Sequence, residues 1–409
     1  MASSWSPDPG GPGEFGGAPR PAWAEVDLDA IRDNLAALRR AASPAGVLAV
    51  VKANAYGHGA APVARTAVEA GAFGLGVATV DEGVELRRAG IGAPVLVLGS
   101  LGPGEAGRAV AHDLIVTVSE VGVAEAASRC AGETGKTARL HLKVDTGMGR
   151  IGALPEEVVA LARRLAALPH AVLHGCCTHF ADADDADLGS AASQLAQFRE
   201  VLSALGREGI HPRLRHAANS AATLALPASH LDLVRCGIAL YGIPPAPHLR
   251  GLVPLRPAMR VCARVVHRKR VPAGTAIGYG RAYRTPRETT IATLPIGYAD
   301  GYPRLAGGRG RVLVGHVRVP IAGRVSMDQI TVDAGDAPVA LGDTAELWGR
   351  GIPVEEVAAA AQTISYEVLA RTAKRLPRIF LARGRPPVVQ TLLDGGEGRG
   401  GRRARGVSG

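Results

Sequence analysis

Aromatic side chains make up only 4% of this 409-residue chain, and lysine is scarcer still. Of 47 basic side chains only Lys52, Lys136, Lys143, Lys269 and Lys374 are lysine; the rest are arginine. Where positive charge alone is wanted, the chain uses arginine. Each remaining lysine is therefore a candidate for what a guanidinium cannot do, which is to lose its proton and attack a carbonyl. Cysteine is also rare. Cys130, Cys176, Cys177, Cys236 and Cys262 show no zinc-type spacing, so no metal is expected and reduced thiols in a cytoplasmic setting are. No apolar run is long enough to cross a bilayer. The N-terminus, "MASSWSPDPGGPGEFGGAPRP", lacks the charged and apolar regions of a secretory signal. No Walker A or nicotinamide fingerprint precedes a helix. The net charge of +10 has no basic face with interleaved aromatics behind it. Half of the excess falls after residue 377, where seven arginines stand against Asp394 and Glu397, much of it in "GEGRGGRRARG". That is the pattern of a solvated tail. Neither a nucleic-acid nor a membrane partner is expected.

What is present is periodic. The length fits two domains, and 47% hydrophobic residues supply a sizeable core. "WAEVDLDAIRDNLAALRRAAS" reads as a short strand and then a helix, with Ile31, Leu35 and Leu38 on one face. Apolar strand candidates follow at 47–52, 73–78, 93–99, 114–118, 138–145, 171–179, 212–217 and 231–236, separated by segments of helical period. Eight strand–helix units predict an N-terminal (β/α)8 TIM barrel, with an open doubly wound sheet as the alternative. Beyond about Leu255, β-branched runs alternate with Gly/Pro turns, which predicts a β-rich C-terminal domain. One helix interrupts it ("PVEEVAAAAQTISYEVLARTAKRL"), and "RIFLA" reads as a closing strand. The expected organisation is a disordered tail over 1–22, a barrel over 23–250, the β-rich domain over 251–385 and a basic flexible tail over 386–409.

A barrel carries its chemistry at the C-terminal ends of its strands. Here those ends hold Lys52, then Lys143, Asp145 and Arg150 in "KVDTGMGRIG", then His179, then His216, Asn219 and Ser220 in "RHAANS", and finally Arg235. Any one of these is more often structural or solvated than functional. Five strand ends in agreement point to a site. "AANSAA" and "CGIALYG" offer turn N–H groups suited to an anion. A carbonyl-reactive amine, an anion cradle and a buried-strand arginine together point to pyridoxal 5'-phosphate.

Over roughly residues 23–385 the chain resembles the alanine racemase family, through "AVVKANAYGHG", "HLKVDTGMGRIG", "THFADAD", "HAANSAA", "VRCGIALYG", "GYGRAY", "PIGYADGYPR", "GRVSMDQ" and "ISYEVL". The resemblance implies a pyridoxal-phosphate enzyme that interconverts L- and D-alanine for peptidoglycan, working as a homodimer with shared active sites. Lys52 is then the Schiff-base lysine and one catalytic base, and Tyr279 of the partner subunit is the opposite base. Arg235 bonds the pyridine nitrogen. Tyr56, Ser220, Gly237, Ile238 and Tyr366 hold the phosphate. Arg150 and the backbone at Met327 hold the substrate carboxylate. His179 and His216 lie behind Tyr279 and Arg235. Asp184, Tyr298, Arg304, Arg324 and Ile364 line the substrate corridor, and Lys143 carries a carbamate that orients Arg150.

Other classes fit less well. A decarboxylase of the same build needs a carboxylate at the ring nitrogen and a cysteine loop in the second domain, and Cys262 stands alone there in a strand-like run. A cofactor carrier without turnover needs no second domain with Tyr279. A racemase for larger amino acids meets crowding from Tyr366 and Met327.

Overall fold

The computed structural model describes residues 20–394, so most of the two expected tails lies outside it. The described chain divides into two compact units, one of residues 30–55 and 60–256, the other of 20–29, 56–59 and 257–394.

The first unit is the barrel. Its strands are β2 (Gly46–Val50), β3 (Gly74–Val77), β4 (Val95–Val97), β5 (Ile115–Val118), β6 (Ala138–Lys143), β7 (Ala171–Cys177), β8 (Leu214–His216) and β9 (Leu233–Cys236), following β1 (Ala22–Asp27), which belongs to the other unit. All eight pair in parallel, in the order β8-β7-β6-β5-β4-β3-β2-β9. The ends approach closure through the Asp232 N–H on the Arg215 carbonyl (3.0 Å) and the Arg235 N–H on the Ala218 carbonyl (2.9 Å). Every expected strand segment of the barrel overlaps one of these strands. Such strands read as apolar runs because helices cover one face and barrel side chains the other. The helices are α1 (Leu28–Ala42), α2 (Ala60–Glu69), α3 (Val80–Arg88), α4 (Pro103–Ala111), α5 (Val121–Glu133), α6 (Val158–Ala166), α7 (Gly189–Arg207) and α8 (Ser220–Ala225). α1 shows why they form: Ile31, Leu35 and Leu38 bury one stripe, Asp29 sits in the first turn, and Arg39 and Arg40 sit in the last.

The second unit is rich in strands. A seven-stranded sheet runs in the order Val317–Pro320, Arg311–Val314, Thr344–Trp348, Met259–Arg264, β1, Arg378–Leu381, Val388–Gln390. A three-stranded sheet joins His267–Val271, Thr289–Leu294 and Ile330–Gly335. The expected single helix is two, Val354–Ala360 and Ser365–Ala370. Gln362 between them has φ +55°, and the Thr363 N–H turns back onto the Ala358 carbonyl at 2.9 Å, so the first helix ends in a left-handed cap. "RIFLA" is a strand, but an inner one: it lies between β1, in parallel, and Val388–Gln390, an edge strand in the stretch read as tail.

Candidate active site

β2 stops at Val50, two residues short of Lys52. From Ala53 to Tyr56 the backbone holds φ between 51° and 54°, four consecutive residues in the left-handed region. Non-glycine residues pay roughly 1–2 kcal/mol each for this, so the turn must be held from outside. Glu82, in the first turn of α3, holds it. One carboxylate oxygen accepts the Ala53 N–H at 2.7 Å; the other accepts the N–H groups of Ala78 (2.7 Å) and Thr79 (3.3 Å). Asn54 then accepts the Ala60 N–H at 2.8 Å, where α2 begins. The amine of Lys52 is pushed below its ordinary range by burial first and by the Arg150 charge second, with Glu82 opposing.

β6 delivers Lys143 beside Cys177 of β7 in the register. Burial, together with the charges of Arg235 and Arg150, brings the Lys143 amine down to about 8. Lys143 makes no hydrogen bond or ion pair with a described residue. Arg150 follows on a loop built around Asp145. A single Asp145 oxygen accepts the N–H groups of Gly147 (2.9 Å), Met148 (2.9 Å) and Gly149 (3.1 Å). These bonds, with the Arg150 N–H, outweigh burial and hold the carboxyl below its ordinary range.

Arg235 on β9 is buried, and its two terminal nitrogens meet four neutral acceptors. Its guanidinium donates to His216 Nδ1 (2.8 Å), His179 Nδ1 (3.0 Å) and the carbonyls of Thr178 and Ala217 (both 2.8 Å). Both imidazoles are neutral. Burial and then the Arg235 charge push His179 down to about 2 and His216 well below its usual range. At the start of α8 the Ser220 Oγ accepts the N–H of Gly237 (2.9 Å) and of Ala239 (3.4 Å), tying two anion-type turns together. The Asn219 side chain caps the Ala222 N–H at 3.0 Å. The N–H groups of Ser220, Ala221 and Ile238 have no acceptor among the described residues.

The barrel rim therefore gathers Lys52, Lys143, Arg150 and Arg235, while the carboxylates of Glu82 and Asp145 are occupied by backbone N–H groups. The excess of positive charge and free donors suits an anionic ligand.

In the second unit Tyr56 and Tyr366 lie with ring centroids 6.2 Å apart, and burial pushes the Tyr56 phenol up to about 12. Beside Tyr56, a Cβ on Gly57 (φ +78°) would sit 2.1 Å from the Leu369 carbonyl oxygen, so the close approach needs glycine. Tyr279 is 70% exposed, on a tight turn between Gly278 (φ +71°) and Gly280 (φ +68°). Met327 is exposed too, and its carbonyl accepts the Ala299 N–H at 3.0 Å.

Glu82, His141 and His174 are absent from the motif-derived set. The signal for Glu82 was available in Thr79-x-x-Glu82, a capping box that the structure forms. Among the described residues no His/Cys/Asp/Glu cluster could hold a metal, and no helix is long and apolar enough to cross a membrane.

A parallel eight-stranded barrel with a strand-end amine and a buried arginine on its rim, joined to a strand-rich second unit, defines a two-domain barrel enzyme. Residues 26–245 match the family described as "Alanine racemase, N-terminal domain" and residues 258–380 the one described as "Alanine racemase, C-terminal domain". The alanine racemase of Symbiobacterium thermophilum is 48% identical over 88% of this chain and 97% of its own length, and that of Frankia casuarinae 44% over 88% and 96%. The crystal structure of alanine racemase from Streptomyces lavendulae superposes with a TM-score of 0.86 at 44% identity, covering 89% of this chain and 98% of that one. The Bacillus anthracis alanine racemase with bound L-Ala-P gives 0.86 at 41%, covering 92% and 98%. The chain belongs to the alanine racemase family of amino-acid isomerases.

Proposed function

We propose that this racemase interconverts L- and D-alanine by two-base proton transfer on bound pyridoxal 5'-phosphate, supplying D-alanine for peptidoglycan. The observation that carries the cofactor reading is Arg235. Its charge is retained, four neutral acceptors fix its position, and no carboxylate touches it. The donor set fits the cofactor: an amine for the aldehyde, a guanidinium for the ring nitrogen, and hydroxyl and N–H donors for the phosphate. Lys52 is the anchoring lysine. Ser220, Gly237, Ile238, Tyr56 and Tyr366 bind the phosphate. When bound, the cofactor withdraws electrons from the substrate α-carbon and so acidifies its α-proton.

The remaining work is done by side chains. Arg150 and the Met327 backbone fix the substrate carboxylate, and a carbamate on Lys143 supplies the anion that orients Arg150. Lys52 Nζ takes or returns the α-proton on one face, and the Oη of Tyr279 of the partner subunit serves the other, in a homodimer with two shared sites. Two bases on opposite faces invert the centre without turning the substrate. A guanidinium can only donate to the ring nitrogen, so that nitrogen stays unprotonated and electron withdrawal stays limited. That favours proton return over decarboxylation or transamination. The test is a visible absorbance scan of purified protein, followed by polarimetry with each alanine enantiomer. A cofactor band and equal approach to the racemate from both sides are expected. Turnover of neither enantiomer by cofactor-loaded protein defeats the reading.

A further inference from the structure

Behind Arg235 the polar network continues deeper into the barrel. His216 Nδ1 faces the guanidinium at 2.8 Å, and its Nε2 lies 2.8 Å from His141 Nδ1. His141 Nε2 in turn lies 3.1 Å from His174 Nδ1. We propose that His141 and His174 are positioning residues for Arg235, completing with His216 a one-way hydrogen-bond chain that fixes the guanidinium as donor toward the ring-nitrogen position. The inference rests on the role given to Arg235 above.

The direction follows from Arg235 alone. A guanidinium has no acceptor, so His216 Nδ1 must be bare and its proton must sit on Nε2. That proton points at His141 Nδ1, which must be bare in turn. His141 therefore carries its proton on Nε2 and donates it to His174 Nδ1. One boundary condition fixes three tautomers. It also works backwards. A donor in place of His174 Nδ1 would oppose the His141 N–H, and resolving that conflict by shifting protons would leave His216 Nδ1–H pointing at Arg235.

Two local features serve the contact. In the β6–β7 register His141 pairs with Gly175 and Lys143 with Cys177, with an irregularity between Leu140 and His141. By simple alternation His174 belongs on the opposite face from Gly175 and Cys177. The irregularity leaves it unpaired and brings its ring to His141, with centroids 5.3 Å apart. Gly175 makes room: a Cβ there would lie 2.6 Å from the His141 ring. Burial and nearby arginines hold both imidazoles below their usual range, His141 at about 3, as neutral links require. An ordinary pair of histidines would need bonds, but not bonds of one direction.

The experiment compares His174→Gln, whose amide oxygen accepts, with His174→Lys, which only donates. Imidazole 15N shifts are recorded on the histidine-labelled holoenzyme, and kcat and KM are measured for L-alanine. Wild type and the glutamine variant should show the Nε2–H tautomer at His141 and His216, with kcat within about twofold of each other. The lysine variant should lose kcat by about tenfold or more, the scale of one misplaced bond to a charged group, with KM changed less than about threefold. An Nδ1 proton on wild-type His216 or His141 overturns the chain, and this needs no variant to fold. A glutamine variant as slow as the lysine one, or a lysine variant at full rate, overturns the positioning role. Wild-type protein with the stated tautomers but no alanine turnover would sink the proposed function and leave the chain standing.

Discussion

The Glu82 carboxylate accepts the backbone N–H of Ala53, the residue after Lys52, at 2.7 Å. One side chain on α3 thereby secures a left-handed turn at the end of β2 and caps its own helix. Two effects separate on mutation. Glu82→Gln leaves one acceptor oxygen where the carboxylate had two, and removes the charge that opposes burial and Arg150 at Lys52, so the free Lys52 amine should titrate lower still. Glu82→Ala also loses the cap and the hold on the turn, and should cost about 0.5–2 kcal/mol of stability, the range for a lost cap. Denaturant midpoints with unchanged slope measure the second effect. An alanine variant as stable as wild type would leave the turn without its proposed support.

The carbamate proposed for Lys143 makes a prediction about pH. The reaction consumes the neutral amine and CO2 and releases a proton, so it is favoured by whatever lowers the amine pKa. At about 8, the amine is roughly 300-fold richer in its neutral form near pH 7 than an ordinary lysine. The sign is definite: acidification below that range protonates the amine and should strip the carbamate, and rising pH should restore it. A 13C resonance from labelled bicarbonate, absent in Lys143→Ala, is the expected signature. Full activity of Lys143→Ala without an added small carboxylic acid would remove the role of the carbamate in orienting Arg150.

The barrel strands and the positions of the residues at their ends were legible in the sequence for physical reasons. Buried parallel strands show as apolar runs, and strand ends mark the rim, so Lys52, Lys143, His179, Ser220 and Arg235 could be read in order. Three things were hidden. β1 looks like the opening of the barrel, yet it pairs with Met259–Arg264 and Arg378–Leu381, partners more than 230 residues away that no local pattern reveals. Glu82 reads as an ordinary capping residue, because its second task is to serve a backbone N–H 29 positions earlier. His174 falls on the wrong face by alternation, and only the irregularity in the β6–β7 register brings it to His141.

Lys52→Arg separates charge from chemistry. Arginine keeps the positive charge at the end of β2, but a guanidinium stays protonated and cannot form the carbonyl adduct. The variant should fold, lose the visible band of lysine-bound cofactor, and lose nearly all racemisation. Borohydride reduction of the wild type followed by peptide mapping should place the cofactor on Lys52. An adduct found on Lys136, Lys143, Lys269 or Lys374 instead would overturn the assignment.

The shared-site reading makes a prediction about counting. Lys52 belongs to the barrel unit and Tyr279 to the strand-rich unit. If the base opposite Lys52 is Tyr279 of the partner subunit, each site draws on two chains, and twofold symmetry makes the exchange reciprocal. Lys52→Ala and Tyr279→Ala homodimers should each be nearly inactive, because every site carries one lesion. In a mixed dimer of the two, one site receives both lesions and the other receives neither. The purified mixed dimer should then recover about half of the wild-type rate per dimer, with wild-type KM, by the symmetry of the sites. If Lys52 and Tyr279 served the same chain's site, each site of the mixed dimer would still hold one lesion and no rate would return. A verified mixed dimer without recovery would thus refute the exchange and leave Tyr279 as a base within its own chain or as no base at all.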